Sequence, residues 1–576
     1  MRKITVFIIL ALQACATKIP VQQVKVGHPI NRNQYEAFGS KYIIASQGPE
    51  ATRAAKKILD MGGNVFDAAI ATSFVISVAR PQSTGIGGGG FMLLYNAKEK
   101  KTYAVDFREL APLKANEKMF QDEKENVIPK KSSEGIFAAG VPTLVAGMES
   151  IHQKFGKLSW DVVIQPAIDI AENGFEIYPE LAEAMKGQSD VLGQSNYAKS
   201  IFFGVDGTPK KLGEQLVQKD LAKTLREIQS KGAKGFYEGW VRDAILETNR
   251  RHQGLMIKED FEQDFVKYRE PIKGVFANFD VVSMPPPSSG GTHVIEILNI
   301  VDPIDIWKFH DPMNPTAVHY VSAAMQAAFA DRFKYMGDPD FVDVPVKMLT
   351  SLQHGKEIRK KFWFKNKAIP SKVYADIIDS KSEPTETTHF SIMGGNGDVV
   401  ASTQTINGWF GSNVVVEGTG IVLNNEMDDF AAKVGASDNF GLIGGKSNAI
   451  APKKRPLSSM SPTIVFDWKK RPVLALGTPN GSRIISCVVQ VILNYIEFRM
   501  PLYDAVTAMR YHHQWYPEEI RVESPGFPEK TKQSLEAMGY KINQQDYGCR
   551  VQAVAREGEK LHGVSDVRGN GLALGD

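Results

Sequence analysis

ETTHFSIMGGNGDVVASTQTIN, residues 386–407, changes the character of the chain. From about Pro112 to Glu383 the apolar residues recur mainly at helical spacing, as in SWDVVIQPAIDIAENGF and PTAVHYVSAAMQAAFADRFKYMGDP. After Thr387 the period falls to two. THFSIM reads as a strand, GGNG as a turn and DVVASTQTIN as the returning strand. The segment Ala368–Glu386 is largely polar, holds Pro370 and Pro384, and reads as an exposed connection. Further strands follow in GIVLNN, PTIVFDW and RPVLALGTP, then a buried helix in SRIISCVVQVILNYIEF. Helices and strands segregate, so the expected class is α+β, sheets covered by helices.

A threonine hydroxyl is a poor nucleophile and needs a base beside it. If the chain is cut between Glu386 and Thr387, the new α-amino group, with a reference pKa of about 7.7–8.0, is that base. β-propensity alone accounts for most threonines at strand starts, so the residues around Thr387 decide. Thr405 and Asn407 stand two apart on one face of the returning strand, within reach of Thr387 across the hairpin. LNNEMDDF supplies Asn424, Asn425, Glu426 and Asp429, and two carboxylates suit a substrate ammonium group. Ser458 and Ser459 in KRPLSSMSPT are hydroxyl donors for a carboxylate, and Arg108 in DFREL can grip one bidentately. In LGTPNGSRII a strand, a turn and a helix start follow one another, and backbone N–H groups of such a turn can hold an oxyanion. Each has a bland alternative: solvated turn acids, capping serines, a surface ion pair.

Other signals point elsewhere and weaken on inspection. GIGGGG, residues 85–90, satisfies G-x-G-x-x-G, but FMLLYN after it is a strand. A dinucleotide site needs a helix there, so the glycines read as a tight turn that other backbone approaches closely. Adjacent His512 and His513 point in different directions and have no acidic or cysteine partner at ligand spacing, so they read as structural. The 576 residues are 43% hydrophobic and 23% charged with net charge +3, which suits a large globular core and excludes a nucleic-acid footprint.

Residues 1–16 read as an export signal: Arg2 and Lys3, then an apolar run Ile4–Leu12 shorter than the roughly 20 residues of a spanning helix. Two processing patterns fit, a lipobox LQAC that would lipidate Cys15, or small-x-small cleavage after Ala16. Cys487 and Cys549 remain; they read as separate buried thiols, with pairing open to them in an oxidising compartment.

Several unusual strings in one order resemble the γ-glutamyltranspeptidase family: GGNVFDAA, GIGGGGF, DFRELAP, ADRFKYMGDP, TTHFS, NNEMDDF, RPLSSMSPT and GTPNGSRII. The resemblance runs from about Ser46 to the C-terminal GNGLALG. It implies an N-terminal-nucleophile hydrolase with a four-layer αββα sandwich. Self-cleavage would give a large subunit, residues 17–386, and a small subunit, residues 387–576, of 190 residues (576 minus 386). It implies that Thr387 is the nucleophile on glutathione and other γ-glutamyl compounds, with water, an amino acid or a peptide as acceptor. Thr405 would support it, and Asn480 and Gly481 would supply oxyanion N–H groups. Arg108, Ser458 and Ser459 would hold the glutamyl α-carboxylate; Glu426, Asp429 and Asn407 its α-ammonium. AAKVGASDNFGLIGG resembles a lid loop, with Phe440 over the pocket. No cofactor and no metal enters this chemistry. The chain departs from the family pattern at Asn480, where glycine is usual, at Arg80, where an acid is common, and in SQGPEAT, which lacks a histidine. Two rivals stand beside this reading: an acylase for another amide on the same scaffold, and an inactive envelope binding protein, suggested only by Asn480.

Overall fold

THFSIM folds as the strand Thr388–Gly394 and pairs antiparallel with Val399–Thr405, Thr388 opposite Gln404. The computed structural model describes residues 22–362, 367–373, 387–438, 441–545 and 548–576. The export segment with Cys15, residue Glu386 at the expected cut, and Phe440 lie outside the described residues.

This hairpin occupies the middle of a seven-stranded sheet, in the order Gly571–Gly575, Tyr42–Gln47, Thr388–Gly394, Val399–Thr405, Gly89–Asn96, Lys101–Phe107, Lys267–Arg269. Both its faces are covered. Ile44, Met92, Leu94, Phe390, Ile392 and Val400 pack on one side in a cluster shared with the helices Pro49–Asp60 and Val65–Ala79. Ile43, Ala45, Phe91, Leu93, Met393 and Ala401 pack on the other in a cluster shared with a second seven-stranded sheet. The helices Gly290–Val301 and Arg483–Ile492 cover that second sheet from outside. The layer order is helix, sheet, sheet, helix, as expected.

Local chemistry places these elements. Every residue of Val65–Ala79 is buried, and Asn64 and Asp67 close its N-terminus reciprocally in a capping box. GIGGGG is the close-approach turn. A Cβ on Gly88 would lie 2.1 Å from the Thr405 carbonyl oxygen, and one on Gly90 2.5 Å from that of Thr403.

The structure adds to one reading and corrects three. The described part of residues 112–383 is mainly helical, as expected, but Ile272–Phe276 and Phe279–Ser283 within it form an edge hairpin of the second sheet. Its turn, Ala277–Asn278, holds both residues at positive φ without the Asn-Gly signature that would announce it. GIVLNN is a strand only at Ile421–Val422, since Asn424 leaves the ladder to donate to the carbonyls of Gly87 and Gly140. Cys487 and Cys549 are joined in a disulfide, because the Arg483–Ile492 helix brings their Cα atoms to 6.6 Å. The connection before Thr387 is not exposed at its start, where Ile369 and Ser371 are buried and Trp515 Nε1 donates to the Ser371 carbonyl.

Gly88→Ala should destabilise the protein by about 2 kcal/mol or more, since its Cβ meets immovable backbone. Gly85→Ala, whose nearest neighbour would be 3.8 Å away, should melt within about 0.5 kcal/mol of wild type. Equal melting temperatures for the two variants would contradict the close-approach reading.

Candidate active site

Register puts the threonine in place. With Thr388 opposite Gln404, Thr387 stands beside Thr405, and their hydroxyls are 3.3 Å apart. Thr387 is 4% exposed, at the head of a buried strand. Its neighbours are anchored: Thr388 Oγ1 is 3.0 Å from Ser83 Oγ, and His389 N donates to Gln47 Oε1 at 3.0 Å. The His389 ring meets Thr403 Oγ1 at 2.7 Å and Ser391 Oγ at 3.0 Å. Burial pushes its pKa down to about 3, so it is a neutral, structural imidazole. His512 and His513 are likewise buried and neutral, His512 against Ser486 and Gln514.

Asn407 reaches the site by a different route from the one its spacing suggests. The strand ends at Thr405, and Asn407 lies beyond it with φ +75°, a conformation asparagine tolerates better than most residues. Its N–H donates to Thr405 Oγ1 at 2.7 Å, and its Nδ2 donates to the Asn425 carbonyl at 3.1 Å and to Asp429 Oδ1 at 3.3 Å.

Arg108 follows the strand Lys101–Phe107 and is fully buried. Its N–H donates to Asp106 Oδ1 and its Nε to the Pro456 carbonyl, while the Arg455 guanidinium donates to its carbonyl. The Arg108 guanidinium meets Glu426 Oε2 at 2.6 Å, Glu109 Oε2 at 3.6 Å, and Asp429. Burial pulls the Arg108 pKa down, but Glu426, Asp429 and Glu109 outweigh it and hold it above its usual value. Burial drives the Glu426 carboxyl well above the usual range and Glu109 to about 7, in both cases against the pull of Arg108.

Thr387, Thr405, Arg108, Asn407, Asp429, Ser458, Ser459 and Gly481 all line one cavity of about 20 Å³, room for about one water. Ser459 Oγ is buried there with no hydrogen-bond partner among the described residues, while Ser458 Oγ accepts from Met460 N–H. Glu426 sits against Arg108 just outside the lining. Asn480, φ +95°, precedes Gly481, φ +52°, at the turn into the Arg483–Ile492 helix. Their carbonyls accept from Arg483 and Ile484, which fixes the turn as the leading edge of that helix.

The model of the family described as Gamma-glutamyltranspeptidase matches residues 51–575. The chain belongs to that family. Its two sheets between helical layers are the α+β sandwich of the N-terminal-nucleophile hydrolases. It is 41% identical over 549 residues to the glutathione hydrolase proenzyme of Escherichia coli, covering 94% of this chain and 92% of that protein. The crystal structure of Helicobacter pylori γ-glutamyltranspeptidase matches with TM-score 0.53 and 39% identity, over 59% of this chain and 93% of that one. The cephalosporin acylase structure from Bacillus halodurans matches with TM-score 0.83 and 26% identity, over 96% of this chain and 98% of that one.

Two charged residues of this γ-glutamyltranspeptidase family member escaped the sequence reading. Glu109 is the third carboxylate at Arg108, and Arg332 lines the cavity with its Nε donating to Ser289 Oγ at 3.1 Å. Both lie inside strings that carry the resemblance, DFREL and ADRFKYMGDP, but a charged residue's burial has no local signal. The apolar wall, Leu442, Leu457, Met460 and Ile484, is equally silent in sequence.

Glu109 makes stability depend on pH. Its folded pKa of about 7 lies above the usual 4.5, so ionisation opposes folding, and stability falls as pH rises from about 4.5 through about 7. Glu109→Gln should therefore melt higher than wild type at pH 8, with the difference closing at pH 4 and below. A thermal-denaturation series across that range checks it; a constant difference at every pH counts against the assignment.

Proposed function

We propose that this chain is a self-processing γ-glutamyltranspeptidase and glutathione hydrolase whose nucleophile is Thr387, uncovered by cleavage after Glu386. The observation that carries the reading is the shared cavity: a strand-leading threonine beside a cationic and an anionic clamp. Cleavage would give a large subunit, residues 17–386, and a small subunit, residues 387–576, which stay associated because their strands interleave in both sheets.

The free α-amino group of Thr387 takes the proton of its own hydroxyl as Oγ1 attacks the γ-amide carbonyl of glutathione. The oxyanion is held by the N–H groups of Asn480 and Gly481. The C–N bond then breaks, the leaving cysteinylglycine amine receives the proton, and a γ-glutamyl ester remains on Thr387. Water, deprotonated by the same amine, releases glutamate; an amino acid or peptide amine instead yields a new γ-glutamyl compound. The substrate α-carboxylate takes over Arg108 together with Ser459 and Ser458. Its α-ammonium becomes the cation facing Asp429, Glu426 and Asn407. Export, with or without lipidation at Cys15, is part of this proposal and rests on residues 1–16. Among the described residues no helix is long and apolar enough to cross a membrane.

The likeness to a cephalosporin acylase keeps an acylase as the second reading. Arg108 with Asp429 and Glu426 favours an α-amino acid head group over a glutaryl one, which has no ammonium to place. Hydrolysis of a glutaryl amide in preference to a γ-glutamyl anilide would reverse that choice.

Wild type should run as two bands on a denaturing gel, the smaller beginning at Thr387 by N-terminal sequencing. Thr387→Ala should give one uncut, inactive chain, and a cut, active variant rules the proposal out. Arg108→Ala in processed enzyme should raise KM for glutathione about 10- to 100-fold, the worth of a charged hydrogen-bonded contact. Unchanged KM removes Arg108 from the site.

A further inference from the structure

Away from the catalytic cavity, four side chains on three helices converge. His293 and Glu296 lie one turn apart on Gly290–Val301, Asp331 is near the end of Pro315–Tyr335, and His354 is in the first turn of Leu352–Phe362. His354 Nε2 is 2.7 Å from Asp331 Oδ2 and 3.3 Å from Glu296 Oε1. One donor atom from each of Glu296, Asp331 and His354 lies within 4.8 Å of the other two. Glu296 is fully buried; its Oε2 is 2.7 Å from His293 Nδ1, while its Oε1 makes no well-formed hydrogen bond among the described residues and faces the cluster. The Asp331 and His354 side chains are each 16% exposed, which leaves a path from solvent.

We propose that Glu296, Asp331 and His354 bind one divalent first-row transition-metal ion, with Zn²⁺ the best match, and that His293 orients Glu296 from behind. Two carboxylate oxygens and one imidazole nitrogen are a donor set Zn²⁺ takes readily, with a fourth position facing solvent for water. The same set is too poor in oxygens for Ca²⁺, and among divalent ions imidazole favours Zn²⁺ over Mn²⁺ and Mg²⁺. Ligating carboxylates are themselves hydrogen-bonded in such sites, and His293 supplies that bond to Glu296.

The ion is structural rather than catalytic. It ties together three helices, two of which already meet through Arg359, whose guanidinium donates to the Asn299 and Ile300 carbonyls, and one of the three lines the catalytic cavity. Arg332, next to Asp331, lines that cavity. Ser289, just before the helix of His293 and Glu296, accepts from Arg332 Nε and donates to the carbonyl of Ser458 at 2.8 Å. The ligands are 35 and 23 residues apart in sequence (331 minus 296, 354 minus 331), so no short motif announces them.

Full-length protein stripped with a chelator and dialysed would be titrated with Zn²⁺ by calorimetry, with Mg²⁺ alone as the control. One saturable Zn²⁺ per chain is expected, with a raised melting temperature and no saturable Mg²⁺ uptake. His354→Ala and Asp331→Asn should lose the site, and His293→Ala should weaken it about 10- to 100-fold at unchanged stoichiometry. Should the variants misfold, X-ray absorption at the zinc edge of the wild type decides alone. A nitrogen and oxygen shell near about 2.0–2.1 Å with imidazole scattering supports the site. No Zn²⁺ uptake, a shell without imidazole, or equal uptake by folded His354→Ala would show a closed ion-pair cluster and overturn it.

Discussion

The antiparallel pairing of Thr388–Gly394 with Val399–Thr405 sets everything at the candidate site. Both strands are buried over their whole length, so neither has a solvent face onto which a wrong register could turn. A slip of one residue would exchange the side chains facing the helices with those facing the second sheet, and would move Thr387 away from Thr405. The glycines of residues 85–90 belong to the same constraint. They let the strand that begins at Gly89 and the turn before it approach the backbone of Thr403 and Thr405 more closely than any side chain permits.

The second organising feature is electrostatic. One guanidinium, Arg108, serves three carboxylates, of which Glu109 and Glu426 are fully buried. In so dry a setting each charge must be matched, and the burial that raises Glu109 and Glu426 is the same burial that strengthens any ion pair formed there. A zwitterionic head group suits this cluster because it brings one charge of each sign. It can replace internal pairs without leaving a buried charge alone, whereas a purely anionic ligand would leave Asp429 facing another negative group.

Much of this was legible in the chain. Thr387, Thr405, Arg108, Asp429, Ser458, Ser459 and Gly481 were all named from local chemistry or family resemblance, and they line one cavity. The glycine turn was read correctly from the strand that follows it. What was not legible depended on contacts between distant segments. The burial of Glu109 and Arg332, the edge hairpin within residues 267–283, the Cys487–Cys549 bond and the Glu296–Asp331–His354 cluster have no local periodicity or spacing. Asn407 lies between the two cases: its presence at the site was anticipated, but a left-handed turn rather than a shared strand face puts it there.

By itself the sequence determined the periodicity change at Thr387, the hairpin that follows it, and the residue types that suit an acyl-transfer site. These are local properties, written in the pattern of apolar side chains and in turn chemistry. Only the tertiary structure decided which of those residues share a cavity, which carboxylates share one cation, and which helices bring histidine and acid together. Burial and charge pairing are properties of the packed layers, and a charged residue acquires its neighbours only when segments hundreds of residues apart are brought together.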